Sequence, residues 1–170
     1  MKCLRLLTSI FLSVLVLSIS SHALAKDLTS RLGIGYRNSL VTMNLPSVAT
    51  IYYPSSDIGV IGSLGVDTDD NNSKFGFMGG VRRIIFKEEH MNFFMGGHLA
   101  LVNQEQTIAG VNNKDSGFEI AAVAGGEFFL QGLDSLGFNF ETGMGISNIR
   151  KVRFRTLGDS FLNAGMIFYF

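Results

Sequence analysis

The sequence predicts an all-β fold: a transmembrane, antiparallel, up-and-down β-barrel of eight strands. Three observations carry that expectation. Counting back from the carboxyl end, Phe170, Phe168, Met166, Ala164 and Leu162 are apolar at every second position. Alternate side chains of a strand point to opposite faces, so this series makes one continuous oily stripe, and it ends on a phenylalanine without a polar tail. Such an edge is an aggregation hazard in water but suits a strand that closes a barrel in lipid. The second observation is that the same alternation recurs along the chain in eight segments. The third is that no stretch of about 18 apolar residues follows the first 25, so any membrane span has to be built from strands.

The amino end agrees with this. Met1–Ala25 carries Lys2 and Arg5, an apolar stretch from Leu6 to about Ile19, and then Ala23-Leu24-Ala25. A basic region, an apolar region and a small-x-small site are the layout of a secretory signal peptide. An amino-terminal membrane helix is the alternative, but Thr8, Ser9, Ser13 and Ser18 interrupt the apolar run, which is short of the ~20 residues a span needs. Residues 1–25 are therefore expected to be cleaved, leaving 26–170 as one barrel domain. Cys3, the single cysteine, precedes the apolar core and leaves with it, so thiol, disulfide and cysteine–metal chemistry are not expected. The chain has 14 basic and 14 acidic residues. Without Lys2 and Arg5 the net charge is about −2, which gives no electrostatic case for nucleic acid.

The eight segments are 28–38, 47–53, 58–66, 74–86, 91–103, 117–130, 136–149 and 159–170. Compact turns at 54–57, 87–90 and 131–135 alternate with longer connections at about 39–46, 67–73, 104–116 and 150–158. Barrels of the bacterial outer membrane have short periplasmic turns and long outer loops, and an even strand number leaves both termini in the periplasm. Segment seven separates the two faces well. Leu136, Phe138, Phe140, Thr142, Met144 and Ile146 lie opposite Gly137, Asn139, Glu141, Gly143 and Gly145. A soluble barrel with an apolar interior would show the same period with the faces exchanged. Side-chain size favours the membrane barrel: the polar series is crowded with glycine and alanine and suits a narrow lumen, while the bulky series suits a lipid-facing band. By phase, Arg31, Arg37, Arg82, His98, Glu119, Glu127 and Glu141 point inward, where charges have to pair. A gated polar pathway and a packed ion-pair plug both fit those residues, and the narrowness of eight strands favours the plug.

The stretch Ala49–Gly65, the run Phe75–Arg82 and the final strand resemble the small eight-stranded outer-membrane barrels of the OmpA/OmpX type. The shared cues are an aromatic-Pro turn, a glycine-rich strand after an Asp/Asn loop, and a terminal aromatic. The resemblance implies integration in the bacterial outer membrane among its lipids, including lipopolysaccharide. It also implies delivery by the barrel-assembly machinery, with Phe170, Phe168 and Met166 as the assembly signal. A carboxy-terminal peptidoglycan-binding domain of the OmpA kind is not expected, because the barrel reaches the last residue. Tryptophan is absent, so aromatic girdles would have to use Tyr36, Tyr52, Tyr53, Tyr169 and phenylalanines.

Three further features bear on chemistry. Lipid A deacylases, which share the barrel, carry a histidine two residues before a catalytic serine that is followed by asparagine. Here Gly145-Ile146-Ser147-Asn148 has glycine at that position, so Ser147 lacks a local base; His98 lies in another strand, and His90 in a turn. Asp67, Asp69 and Asn71 alternate like calcium ligands, but an EF-hand loop would need glycine and glutamate where Asn72 and Met78 stand, so a solvated turn is expected. Arg150, Lys151, Arg153 and Arg155 make the last outer connection basic. They could bind anionic groups at the surface, lipopolysaccharide phosphates among them, or form a solvated loop balanced by the acidic 67–70 turn. Neither a cofactor nor a metal is expected. The function expected is non-enzymatic, in envelope integrity or surface interaction, with a lipid-A-modifying enzyme or a narrow pore as alternatives. Oligomeric state and partner proteins have no signature in the sequence.

Overall fold

The computed structural model describes residues 27–170 except 41–44, 70–71, 109–110 and 158–162. The expected signal peptide lies outside the described residues. All regular structure among the described residues is strand: β1 Leu32–Leu40, β2 Leu45–Tyr52, β3 Ile58–Asp67, β4 Asn72–Glu88, β5 Met91–Ile108, β6 Val111–Phe129, β7 Leu136–Asn148, β8 Val152–Leu157 and β9 Asn163–Tyr169. Each neighbouring pair is antiparallel. The wall closes where β9 pairs with β1, Gly33–Arg37 against Gly165–Tyr169.

The nine strands occupy eight positions. β9 pairs with Leu136–Glu141 of β7, and β8 pairs with Gly143–Asn148 of the same strand on the same side. β8 and β9 together therefore form the eighth barrel strand. The expected eighth segment, 159–170, corresponds only to its lower half. The upper half, β8, falls in what the sequence suggested was a loop at 150–158.

The other large departure is at 104–116, also expected to be a loop. There β5 and β6 stay paired from Asn103↔Ser116 to Ile108↔Val111, while β6 leaves β7 at Phe118↔Asn148. The result is a ribbon that rises past the β7 side of the wall, with β4 still paired to β5 as far as Asn72↔Gln106. Polar pairs hold it. Asn103 donates to Ser116 at 2.9 Å, Lys114 bridges Glu105 at 3.2 Å, and Arg150 pairs with Asp115 from the neighbouring turn. The Asn112 amide, with Lys114, holds the Glu105 carboxyl below its ordinary range.

Both ends of the described barrel, Asp27 and Phe170, lie at the short-turn end. Leu32 and Phe170 exchange backbone hydrogen bonds, and the Tyr169 N–H donates to Ser135 in the 131–135 turn. Ahead of β1 the chain folds under the barrel. Ser30 takes a positive φ of 61°, its N–H donates to the Tyr53 carbonyl, and Leu28 is driven fully inside. Gly132 supplies the other left-handed position, at φ 84°.

Outward side chains are mostly apolar, with Thr50 and Thr142 among the exceptions. The ten steps from Leu136 to Ile146 along β7, at ~3.4 Å each and tilted ~40°, give about 26 Å, which matches the apolar band of a transmembrane barrel. Near the short-turn end the band carries phenylalanine clusters, Phe86 with Phe93 and Phe128 with Phe138 and Phe140. A register shift between Ile84 and Phe86 turns Ile85 and Phe86 outward in succession and restores the phase at Phe86↔Phe93. Arg83 faces outward as its phase required, and it sits at the turn, where it reaches Asp57 at 3.6 Å.

Candidate functional site: the filled interior and the outer mouth

The interior is built in levels, and glycine makes room for it. At the short-turn end Arg82 and Glu127 are fully buried and 2.6 Å apart. Arg82 Nη2 also donates to the hydroxyls of Tyr53 and, at 3.1 Å, Tyr169; the Tyr169 hydroxyl donates in turn to Glu127 Oε1 at 2.6 Å. The guanidinium lies over the Phe94 ring at 4.6 Å. Tyr169 packs against Tyr53 and Phe129 with ring centroids 6.2 and 6.1 Å apart. A Cβ at Gly137 would come within 3.0 Å of the Glu127 carboxylate, so only a bare backbone lets that wall approach the cluster.

The sequence placed Tyr53 and Tyr169 among girdle candidates, and this is corrected: both are completely buried in the lumen. The signal was available, because Tyr169 sits between Phe168 and Phe170 and so must face away from their stripe. Tyr36 and Tyr52 do face outward, at 48% and 44% exposure.

The next level is an ion pair between Arg37 and Glu141 at 2.5 Å, both buried. Toward the long-connection end His98 Nε2 and Arg155 Nη2 approach Glu119 at 3.7 and 3.8 Å, too long for hydrogen bonds. Arg155 is thus turned down into the barrel, apart from the other basic residues of its strand. Arg31, expected in the lumen network, lies in the turn before β1 and is half-buried; its backbone bonds to Leu28 and Tyr53 hold that turn. Its phase matched Gly33 and Arg37, but the strand begins one residue later.

One side of the lumen is apolar, which the sequence reading did not anticipate. Leu40, Leu45, Ile61, Met78, Ala100 and Val102 form a buried cluster along β1–β5. A polar half and an oily half therefore share the interior, and between them they fill it.

The long-connection end of the barrel holds the remaining candidates. Ser147 is 3% exposed. His98 pairs with Ala121, which pairs in turn with Gly145, whereas Ser147 pairs with Glu119. Serine and histidine are thus two strands and two residues apart, ~12 Å between Cα atoms at ordinary sheet spacings, too far for His98 to serve as base. Arg150, Lys151 and Arg153 are exposed around the β7–β8 turn, and Arg150 is paired with Asp115. In the 67–72 turn the Asp69 carbonyl accepts from Asn72 N and the Ser73 hydroxyl. No group of three metal-ligating side chains occurs among the described residues.

No family model matches the sequence, and no curated protein matches it. Among solved structures, the N-terminal β-barrel domain of Pseudomonas aeruginosa OprF superposes with a TM-score of 0.62 at 12% identity, covering 84% of this chain and 98% of that one. Neisserial surface protein A is more loosely similar, with a TM-score of 0.42 at 10% identity over 82% and 90%. At such identities the likeness is one of fold. The chain is a closed eight-stranded antiparallel barrel with the architecture of the small outer-membrane barrels.

Proposed function

We propose that this chain is a non-enzymatic barrel of the bacterial outer membrane that supports the envelope barrier and meets the surroundings through its β5–β6 and β7–β8 hairpins. One observation carries the reading: an apolar outer band of membrane height encloses an interior packed shut by buried side chains. Arg82, Glu127, Tyr53, Tyr169 and Leu28 close the short-turn end, which argues against a standing pore. The distance between Ser147 and His98 argues against the deacylase-like alternative. The outward Met166, Phe168 and Phe170, on a strand whose backbone docks on β1, are suited to recognition by the assembly machinery before closure.

The test combines membrane fractionation, heat-modifiable migration in detergent gels and envelope permeability of a deletion strain. The expected result is an outer-membrane protein whose loss admits bulky antibiotics, with rescue by the full barrel and weaker rescue by one whose 104–115 ribbon is cut to a tight turn. A soluble periplasmic pool would overturn the reading, as would lipid A modification by the wild-type protein or steady conductance in planar bilayers.

A further inference from the structure

Between the β5–β6 ribbon and the β7–β8 hairpin lies a cavity of about 150 Å³ lined by Gln104, Ser147, Ile149, Arg150, Lys151 and Arg153. Its charges are unequally committed. Arg150 is paired with Asp115, and Lys114 on the ribbon is paired with Glu105. Lys151 and Arg153 have no carboxylate within ion-pair distance among the described residues. Ser147, 3% exposed, adds a hydroxyl on the cavity wall. Gln104 offers an amide from the facing ribbon. Two uncompensated cations, a hydroxyl and an amide make a donor set for a compact oxyanion with several acceptor oxygens. At ~30 Å³ per water, the cavity has room for one such group with part of its hydration shell, but not for a folded peptide or a base pair.

We infer that the outer mouth binds one phosphate monoester, held by the charges of Lys151 and Arg153, with Ser147 and Gln104 donating to its oxygens. This rests on the outward placement of the hairpins proposed above and goes beyond it by naming the chemistry they meet. The phosphate could come from a lipid headgroup of the surrounding leaflet or from a free phosphorylated sugar.

The test uses the full barrel refolded in decyl maltoside and followed by backbone amide NMR. Inorganic phosphate and glucosamine 6-phosphate should give saturable shifts at Ser147, Lys151 and Arg153, and glucosamine or sodium chloride of matched ionic strength should not. Lys151→Gln with Arg153→Gln should weaken phosphate binding at least about tenfold, the scale of one lost charge-assisted hydrogen bond. Arg150→Gln with Asp115→Asn removes a self-neutralised pair and should leave the affinity within about twofold. In nanodiscs, bisphosphorylated lipid A competing with glucosamine 6-phosphate identifies the lipid headgroup as the source; lack of competition identifies the free sugar phosphate. The inference is overturned by affinity unchanged in the Lys151/Arg153 variant, or by no saturable response to either phosphate probe. Heat-modifiable migration of each variant reports folding, so failure here would leave outer-membrane residence standing.

Discussion

Glu127→Ala should be among the most damaging single substitutions in the barrel. Glu127 is fully buried, accepts from Arg82 at 2.6 Å and from Tyr169 at 2.6 Å, and faces a guanidinium whose Nε and Nη1 already lack hydrogen-bond partners. Removing one member of a buried pair leaves an uncompensated charge, a loss of about 3–5 kcal/mol. Here the Phe94 face and the two tyrosine oxygens remain to receive Arg82, which puts the expected loss at the lower end, about 3 kcal/mol, or roughly a hundredfold in the folding equilibrium. Removing both charges is different. Arg82→Met with Glu127→Leu keeps approximate volume and strands no ion, so its loss should be within about 1 kcal/mol. The assay is urea unfolding of the refolded barrel in lipid vesicles, read by the unboiled gel shift at several urea concentrations. A Glu127→Ala protein losing less than about 1 kcal/mol would refute this account of the cluster. So would a double variant whose loss equals the sum of the singles, because the two charges would then not be coupled.

Other outcomes follow from neighbouring features. A Cβ at Gly79 meets nothing within 4 Å, so Gly79→Ala should be neutral or raise stability by up to about 1 kcal/mol through the unfolded chain. A Cβ at Gly96 would lie 3.0 Å from Arg82 atoms and closer to the Val81 carbonyl, so Gly96→Ala should cost about 1–3 kcal/mol in the same unfolding assay. If both glycines respond alike, the assignment of faces on β4 and β5 is wrong. The depressed Glu105 carboxyl stabilises the ribbon above its ordinary pKa, and that contribution disappears as pH falls through the folded value. NMR titration should place its midpoint below the ordinary carboxylate range and raise it in Asn112→Ala; an ordinary midpoint in the wild type would refute the Asn112 contact. Phe170→Ala should slow outer-membrane assembly in cells while leaving detergent refolding nearly unchanged, and equal losses in both would make Phe170 a packing residue instead.

Much of the fold was legible because one rule, a period of two against a lipid boundary, governs most of the wall. On β7 the inward and outward sets read from the sequence follow the burial: Gly137, Asn139, Glu141 and Gly145 are buried, and none of the outward set is. Legibility failed where that boundary ends. In 103–116 both faces of the ribbon meet water, so Asn103, Gln104, Glu105, Asn112 and Lys114 show no alternation, and a paired hairpin reads as a loop. The split of the eighth strand into β8 and β9 is a matter of register, set by the pairing partner β7 and not by side-chain polarity. In the interior, phase placed Arg82, Glu127 and Glu141, but which charge meets which depends on how the strands stagger around the barrel. Tyr53 and Tyr169 were misplaced for another reason: residue type outweighed phase, although phase alone would have turned both inward.

The join between β9 and β1 has a mechanical consequence. Among the described residues its ladder, Gly33–Arg37 against Gly165–Tyr169, is as short as that of β2 with β3, and unlike that hairpin it joins strands linked by no turn and is capped only by the mutual hydrogen bonds of Leu32 and Phe170. The β5–β6 ladder, by contrast, runs unbroken from Met91 to Ile108. A cylinder strained by heat, denaturant or a pulling force parts along its weakest line. This one should unzip there first, curling back as an open sheet with β4–β6 intact, and amide exchange along β9 should outpace that of every central strand. The line where the first strand meets the last is thus the line along which the barrel first comes undone.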